Sequence, residues 1–153
     1  MKVYNFGILG LGMIAEFHAQ AIEAMAHGKV AACCSRSMDK AEAFARQHNC
    51  SAYDSLEKML ADPAVDVITV CTPSGVHAEA VIAAAEAGKH VICEKPLDIT
   101  LDRIDNMIAA HEKAENCLCG IFPYRFNDVT QHLKKTVDRG GFEDGFGFDN
   151  GRY

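Results

Sequence analysis

The segment Gly7-Ile8-Leu9-Gly10-Leu11-Gly12-Met13-Ile14-Ala15 has the residue types and spacing to hold a phosphate. It reads G-x-G-x-x-A from Gly10 to Ala15. A short apolar run ends at Gly10 and a helical pattern opens after Gly12, the context that gives the motif meaning. Gly10 permits a tight turn and Gly12 lets the backbone approach a pyrophosphate. Ala15 is small enough for the helix to lie close against the strand. The first turn of such a helix presents unpaired N–H groups and a partial positive charge to an anion. The bland alternative is a glycine turn in an α/β domain that binds nothing. The strand before it and the helix after it favour the ligand reading.

Two further groups carry chemistry. Cys34-Ser35-Arg36-Ser37 closes the second apolar run. A site built for a ribose 2′-hydroxyl places Asp or Glu there. No carboxylate stands here to repel a 2′-phosphate, and Ser35, Arg36 and Ser37 can bind one. Arg36 can also lie flat on an adenine. The expectation is NADP in preference to NAD, against a reading of Arg36 as a solvated loop residue. The other group is Lys95, just past the apolar run His90–Cys93. Pro96 stiffens the turn and bars helical continuation from Lys95. An ammonium there can hydrogen-bond a substrate oxygen as its charge changes. It can also exchange a proton during a hydride transfer. The alternative is a lysine that merely pairs with a carboxylate at the sheet edge.

These groups need elements to position them. The patterns predict strands over 3–9, 30–34, 51–53, 65–71, 90–93 and 117–122. Helices are predicted over 13–27, 38–48, from Asp54 to Pro63, from Pro73 to Ala87, from Thr100 to about Ala114, and from Asn127 to about Asp138. Asp54 with Glu57 three residues on has capping-box spacing. Gly28 and Gly88 serve as stops. His18 lies in the first helix and is read as a packing residue. His77 either lines the ligand cleft or caps a helix turn. Continuous apolar strands alternating with helices indicate a doubly wound parallel sheet, the Rossmann fold, with about six strands and helices on both faces. Right-handed crossovers and the order 3-2-1-4-5-6 follow. Ligand chemistry then belongs at the carboxyl ends of the strands.

Bulk properties set limits. The 153 residues suit one domain that needs no disulfide staples. Hydrophobic residues make up 49% and charged residues 24%, as in ordinary soluble proteins. A net charge of −6 without a basic block argues against nucleic acid as a partner. The seven cysteines are odd in number and mostly inside apolar runs, which reads as reduced, buried thiols in a cytoplasmic protein. Neither Cys33-Cys34 nor Cys117-x-Cys119 has zinc-ligand spacing, so no metal is expected. No secretory leader is visible at the N-terminus. No apolar stretch approaches the ~20 residues that span a bilayer, so no membrane partner is expected.

Four segments in order, GILGLGMIAEFH, CSRSMDKAEAFA, CTPSGVHAEA and VICEKPL, closely resemble the Gfo/Idh/MocA oxidoreductases. The resemblance covers about residues 3–142. It implies that Gly10, Gly12, Met13 and Ile14 line the pyrophosphate turn of NADP or NAD. It implies that Ser35 and Arg36 hold the adenosine ribose or its phosphate. Thr72, Pro73, Ser74 and His77 match the family's T-P-x-x-x-H loop beside the cofactor, and Glu94 and Lys95 match its E-K-P motif. Lys95 would then be the catalytic residue, and the segment of Arg125 would lie near the nicotinamide end. The implied substrate is a small sugar or polyol.

The chain departs from the family in one respect. Members continue into a second α/β domain that supplies most of the substrate pocket and commonly a His and an Asp, whereas this sequence stops at Tyr153. It therefore reads as truncated: a Rossmann domain over 1–139 and a Gly-rich tail over 140–153, a loop or disordered. A truncated chain would bind the cofactor without turning over, since hydride donor and acceptor need a second wall to position them. The alternatives are a non-enzymatic NADP-binding module and an oligomerising relic. An apolar face left uncovered would favour a homo-oligomer.

Overall fold

The computed structural model describes residues 1–140. All of the Gly-rich tail after Gly140 lies outside the described residues. The chain divides into a first unit, Met1–Ile121, and a second, Phe122–Tyr153.

The first unit alternates strictly. Its strands are β1 (Tyr4–Leu9), β2 (Gly28–Cys34), β3 (Ser51–Tyr53), β4 (Val67–Val70), β5 (His90–Cys93) and β6 (Leu118–Gly120). Between them run α1 (Met13–Glu23), α2 (Met38–His48), α3 (Leu56–Leu60), α4 (His77–Glu86) and α5 (Leu101–Lys113). The sheet order is β3-β2-β1-β4-β5-β6 and every pairing is parallel. This is the doubly wound Rossmann arrangement expected from the sequence.

Strand alternation sends successive side chains to opposite faces, and each face is covered. On one face Phe6, Ile8, Val30, Cys33 and Val67 pack with Ala15, Ala19 and Ile22 of α1 and Ala41 and Phe44 of α2. On the other, Ile68, Val70, Val91 and Cys93 pack with Met59 of α3, Ala78, Val81 and Ala84 of α4, and Met107 of α5. The neighbouring cysteines Cys33 and Cys34 therefore enter different cores, both as buried thiols. The alanines of α1 and α4 let those helices approach the sheet closely.

Some boundaries differ from the periodicity, each for a local reason. α1 ends at Glu23 rather than His27, because the His27 carbonyl already accepts the Tyr4 N–H and Gly28 pairs with Tyr4 in the sheet. The cap expected at Asp54 falls one residue later. Ser55 is extended and its Oγ accepts the Lys58 N–H at 3.3 Å, while the Asp54 carboxylate takes Lys58 Nζ. α4 starts at His77 rather than Pro73, because Gly75 holds φ +88° and interrupts the helical path. β4 and β6 are shorter than the apolar runs that contain them.

In the second unit a 3-10 turn (Pro123–Phe126) leads to α6 (Asp128–Asp138). Asn127 caps α6, its Oδ1 accepting the Val129 N–H at 2.9 Å. The 3-10 turn has no counterpart in the sequence expectations. Arg125 sits on it and is exposed.

Candidate functional site

The loops at the carboxyl ends of β1, β4 and β5 begin in fixed register, because each is tied to the neighbouring strand. The Gly10 N–H donates to Cys34 O at 3.0 Å, Cys71 N–H to Leu9 O at 2.8 Å, and Glu94 N–H to Val70 O at 3.1 Å. These bonds bring the sequence-selected residues of the first unit to one edge of one sheet.

The glycine turn is specific to its two glycines. Gly10 holds φ +87°, and a Cβ there would lie 2.9 Å from Cys71 O and 2.9 Å from Thr72 N. Gly12 has ordinary φ, and a Cβ there would meet nothing within 4 Å. Gly10 therefore lets the β1 and β4 loops touch, whereas Gly12 leaves open space at the start of α1. Gly12 is also the N-cap of α1, and among the described residues no side chain caps the helix. Its first-turn N–H groups include those of Met13 and Ile14, which are exposed residues, while Ala15 is fully buried. An anion placed there completes the helix end.

At the end of β2, Ser35 N–H donates to Tyr53 O, and Ser35 Oγ accepts the Ser37 N–H at 3.2 Å. Arg36 is left exposed beside them.

The loop after β4 holds Thr72, Pro73 and Ser74. Thr72 Oγ1 is buried and has no hydrogen-bond partner among the described residues. Such an atom costs free energy unless a ligand or water satisfies it. His77 is 1% exposed, and carbonyls occupy both its ring nitrogens. Nδ1 lies 2.9 Å from Pro96 O and 3.1 Å from Leu97 O, and Nε2 lies 2.7 Å from Thr72 O. The imidazole thus bridges the loops that follow β4 and β5.

After β5 come Glu94, Lys95 and Pro96, with a cis Lys95–Pro96 peptide. Glu94 is buried and Lys95 exposed. Glu94 Oε1 lies 2.8 Å from His18 Nε2, and Glu94 Oε2 accepts the Lys95 N–H at 3.0 Å. Beyond the turn Asp98 is anchored from three sides. Its carboxylate accepts Ala78 N–H, Ile99 N–H and Arg103 Nε at 2.7–2.9 Å. Burial alone would raise the Asp98 carboxyl, but the guanidinium and the two N–H groups bring it below the usual carboxylate range. Burial, and then the Glu94 charge, push the Cys71 and Cys93 thiols each up to about 12. They stay protonated and offer no nucleophile.

His18 reads from the sequence as a packing residue, and in the fold it pairs with Glu94. A signal was present. His18 is three residues after Ala15 and four before Ile22, both buried, so it lies on the core stripe of α1. A polar side chain on that stripe requires a hydrogen-bond partner. Asp98 and Arg103 are only five residues apart, but the bonds that give them a structural role run to Ala78, Gly75 and Glu79, 20–28 residues away, where the sequence pattern gives no signal.

The edge as a whole carries the uncapped helix N–H groups of the glycine turn, the exposed Arg36 and the exposed Lys95, a set of donors suited to an extended anionic ligand. Comparison with known proteins gives this edge a family. A family model described as an oxidoreductase family with an NAD-binding Rossmann fold, GFO_IDH_MocA, matches residues 4–121. The chain belongs to the Gfo/Idh/MocA oxidoreductases. Within this family, it is 34% identical over 137 residues to the myo-inositol 2-dehydrogenase of Thermotoga maritima, covering 89% of this chain and 41% of that protein. It is 37% identical over 134 residues to the D-xylose 1-dehydrogenase (NADP(+)) 2 of Haloferax volcanii, covering 86% and 41%. Among solved structures, the WlbA dehydrogenase of Bordetella pertussis, in complex with NADH and UDP-GlcNAcA, superposes with a TM-score of 0.87 at 28% identity. That match covers 91% of this chain and 44% of the other. The chain spans about two fifths of the length of the curated relatives it matches.

Proposed function

We propose that this chain binds NADP at the carboxyl edge of its sheet, as the cofactor-holding part of a dehydrogenase acting on the CH–OH group of a sugar or polyol. NAD is the weaker ligand in this reading. The observation that carries it is the pairing of an uncapped α1 N-terminus at Gly12 with an exposed Lys95 two strands away on the same edge. The orphaned Thr72 hydroxyl and the open space beside Gly12 fit a bound nucleotide.

In this reading Gly10, Gly12, Met13 and Ile14 hold the pyrophosphate through backbone N–H groups. Ser35 and Arg36 hold the ribose 2′-phosphate, Arg36 through a forked guanidinium. Thr72, Pro73 and Ser74 line the middle of the cofactor. His77 serves the site by clasping its two loops together. Glu94 and Lys95 stand at the reactive end, and Arg125 belongs to the segment that follows. The bound nicotinamide supplies the hydride acceptor or donor. Lys95 hydrogen-bonds the substrate oxygen and stabilises the charge that develops there as its proton leaves or returns. The sugar or polyol class is supported by the inositol and xylose dehydrogenases among the relatives. Four buried, free thiols suit a reducing compartment such as the cytosol.

The test is a fluorescence titration with NADPH and NADH. NADPH is expected to bind about tenfold tighter, a difference of ~1.4 kcal/mol. Arg36→Ala should remove that difference while leaving NADH affinity within about twofold. Equal affinity for the two nucleotides in the unaltered chain would refute the NADP preference, and binding of neither would refute the site.

A further inference from the structure

We propose that His18 is a positioning residue for Lys95, acting through the Glu94 carboxylate. The proposal rests on the reading of Lys95 as the group that handles the substrate oxygen.

The last sheet-type bond of this stretch is Glu94 N–H to Val70 O. The Lys95 N–H instead turns back onto the side chain of the residue before it, at 3.0 Å. The plane of the Glu94–Lys95 peptide, and with it the direction in which Lys95 leaves the sheet, is therefore set by where the Glu94 carboxylate sits. A carboxylate is rigid and planar, so a bond to one oxygen restricts where the other can sit. His18 Nε2 fixes Oε1 at 2.8 Å, with both side chains about nine-tenths buried. In the tautomer with the proton on Nε2, the ring donates to an ionised Glu94 and the bond is charge-assisted. A carboxylate at this depth that lost the donor would be pulled toward water. The Lys95 N–H would then lose its acceptor.

The far side of the turn is held independently. His77 binds the Pro96 and Leu97 carbonyls, and Asp98 is fixed by Ala78, Ile99 and Arg103. Lys95 thus projects from a short segment clamped at both ends, and His18 supplies the clamp on the strand side. His18 also belongs to α1, five residues after Met13. At 1.5 Å per residue that is about 7.5 Å along the helix from the phosphate-facing turn. One rigid helix therefore carries both the cofactor contact and the support of the lysine turn.

The test uses the 153-residue chain and two substitutions. His18→Leu keeps the bulk and removes the donor. His18→Gln keeps an N–H donor near the Nε2 position. Amide hydrogen exchange followed by NMR should show the Lys95 amide exchanging about tenfold faster in the Leu variant. Buried amides of β1 and β4 should be unchanged, and the Gln variant should return Lys95 to within about twofold of wild type. A packing role alone predicts no such rescue and no selective loss at Lys95. Should the Leu variant fail to fold, His18→Met, which also removes the donor, takes its place and should loosen the same amide. A Lys95 amide as protected as wild type in a folded variant overturns the proposal. NADPH binding measured on the same samples separates the two readings. Absence of binding by the unaltered chain defeats the proposed function, and the exchange data still decide the role of His18.

Discussion

The two edges of the sheet are built from the same strands and finish in opposite ways. At the amino ends of β1 and β4 polar groups satisfy one another, although further along that edge, before β6, the His111 ring and Asn116 Oδ1 have no partner among the described residues. The Asp66 carboxylate accepts the Asn5 N–H and Lys2 Nζ, Lys89 Nζ donates to Asp62 O and Val65 O, and Asp62 accepts the Tyr53 hydroxyl and the Ala64 N–H. At the carboxyl edge polar side chains such as His77, Glu94 and Asp98 turn inward to hold loops, while helix N–H groups and the Thr72 hydroxyl are left over. Polar groups that satisfy one another stabilise the fold, and the uncapped helix N–H groups of the carboxyl edge are the donors suited to an anionic ligand. The contrast is sharpest where a change hits the carboxyl edge's framework rather than its leftover groups.

The largest effect belongs to Gly10. Gly10→Ala puts a Cβ against the Cys71 and Thr72 backbone at 2.9 Å with φ +87°. The conformation and the clash together should cost about 3 kcal/mol or more in urea unfolding. Gly12→Ala, two residues on, meets nothing within 4 Å. It should leave stability within about 0.5 kcal/mol and weaken NADPH binding by about tenfold. If both variants lost only stability, the edge would be framework throughout and the comparison would fail.

Asp98 comes next. Asp98→Ala removes the acceptor shared by Ala78, Ile99 and Arg103. A loss of about 2 kcal/mol is expected at neutral pH. The folded carboxyl lies below its unfolded value, so its stabilisation is present above the unfolded pKa of about 3.9 and disappears as pH falls through the folded value. Urea midpoints of wild type and variant should therefore differ at pH 7 and converge below about pH 4. A gap that did not change with pH would mean that packing, not the ionised group, holds the turn.

How much of this could be read from residues alone depends on the range of each interaction. The bounds of α2, β3 and β5 match the periodicity, because local patterning and flanking residues set them. The sheet order was expected as the usual order of the Rossmann fold, which the alternation of strands and helices suggests. The Gly10–Gly12 turn was legible because its chemistry is local. Ser55, rather than Asp54, as a cap was not legible, since two adjacent capping residues compete and the backbone decides. The His18–Glu94 bond spans 76 residues and joins α1 to the turn after β5. Sequence could mark His18 as a polar residue on a buried stripe but could not name what it meets. His77 reads from the sequence as lining a cleft or capping a helix turn; in the fold it opens α4, with three carbonyls around its ring.

The smallest expected effect tests the amino edge. A cleft of about 450 Å³ opens there, lined by Asn5, Lys29, Asn49, Ser51 and Asp62 among others. Its volume falls in the range of ligand pockets, about 300–1,000 Å³, so size alone would assign the nucleotide to it. Charge and bonding argue otherwise. The neighbouring carboxylates Asp62 and Asp66 are anchored to the fold. Lys29 stands near the start of the seven-residue β2, and Ser35 just past its end. At roughly 3.3 Å per residue that separation is about 20 Å. It exceeds twice the Debye length of about 8 Å at 0.15 M salt, so the Lys29 charge is screened from a phosphate at the far edge. Lys29→Ala should leave NADPH affinity within about twofold and stability within about 0.5 kcal/mol. A fivefold or greater loss of affinity, set beside an unchanged Gly12→Ala, would move the nucleotide to the amino edge.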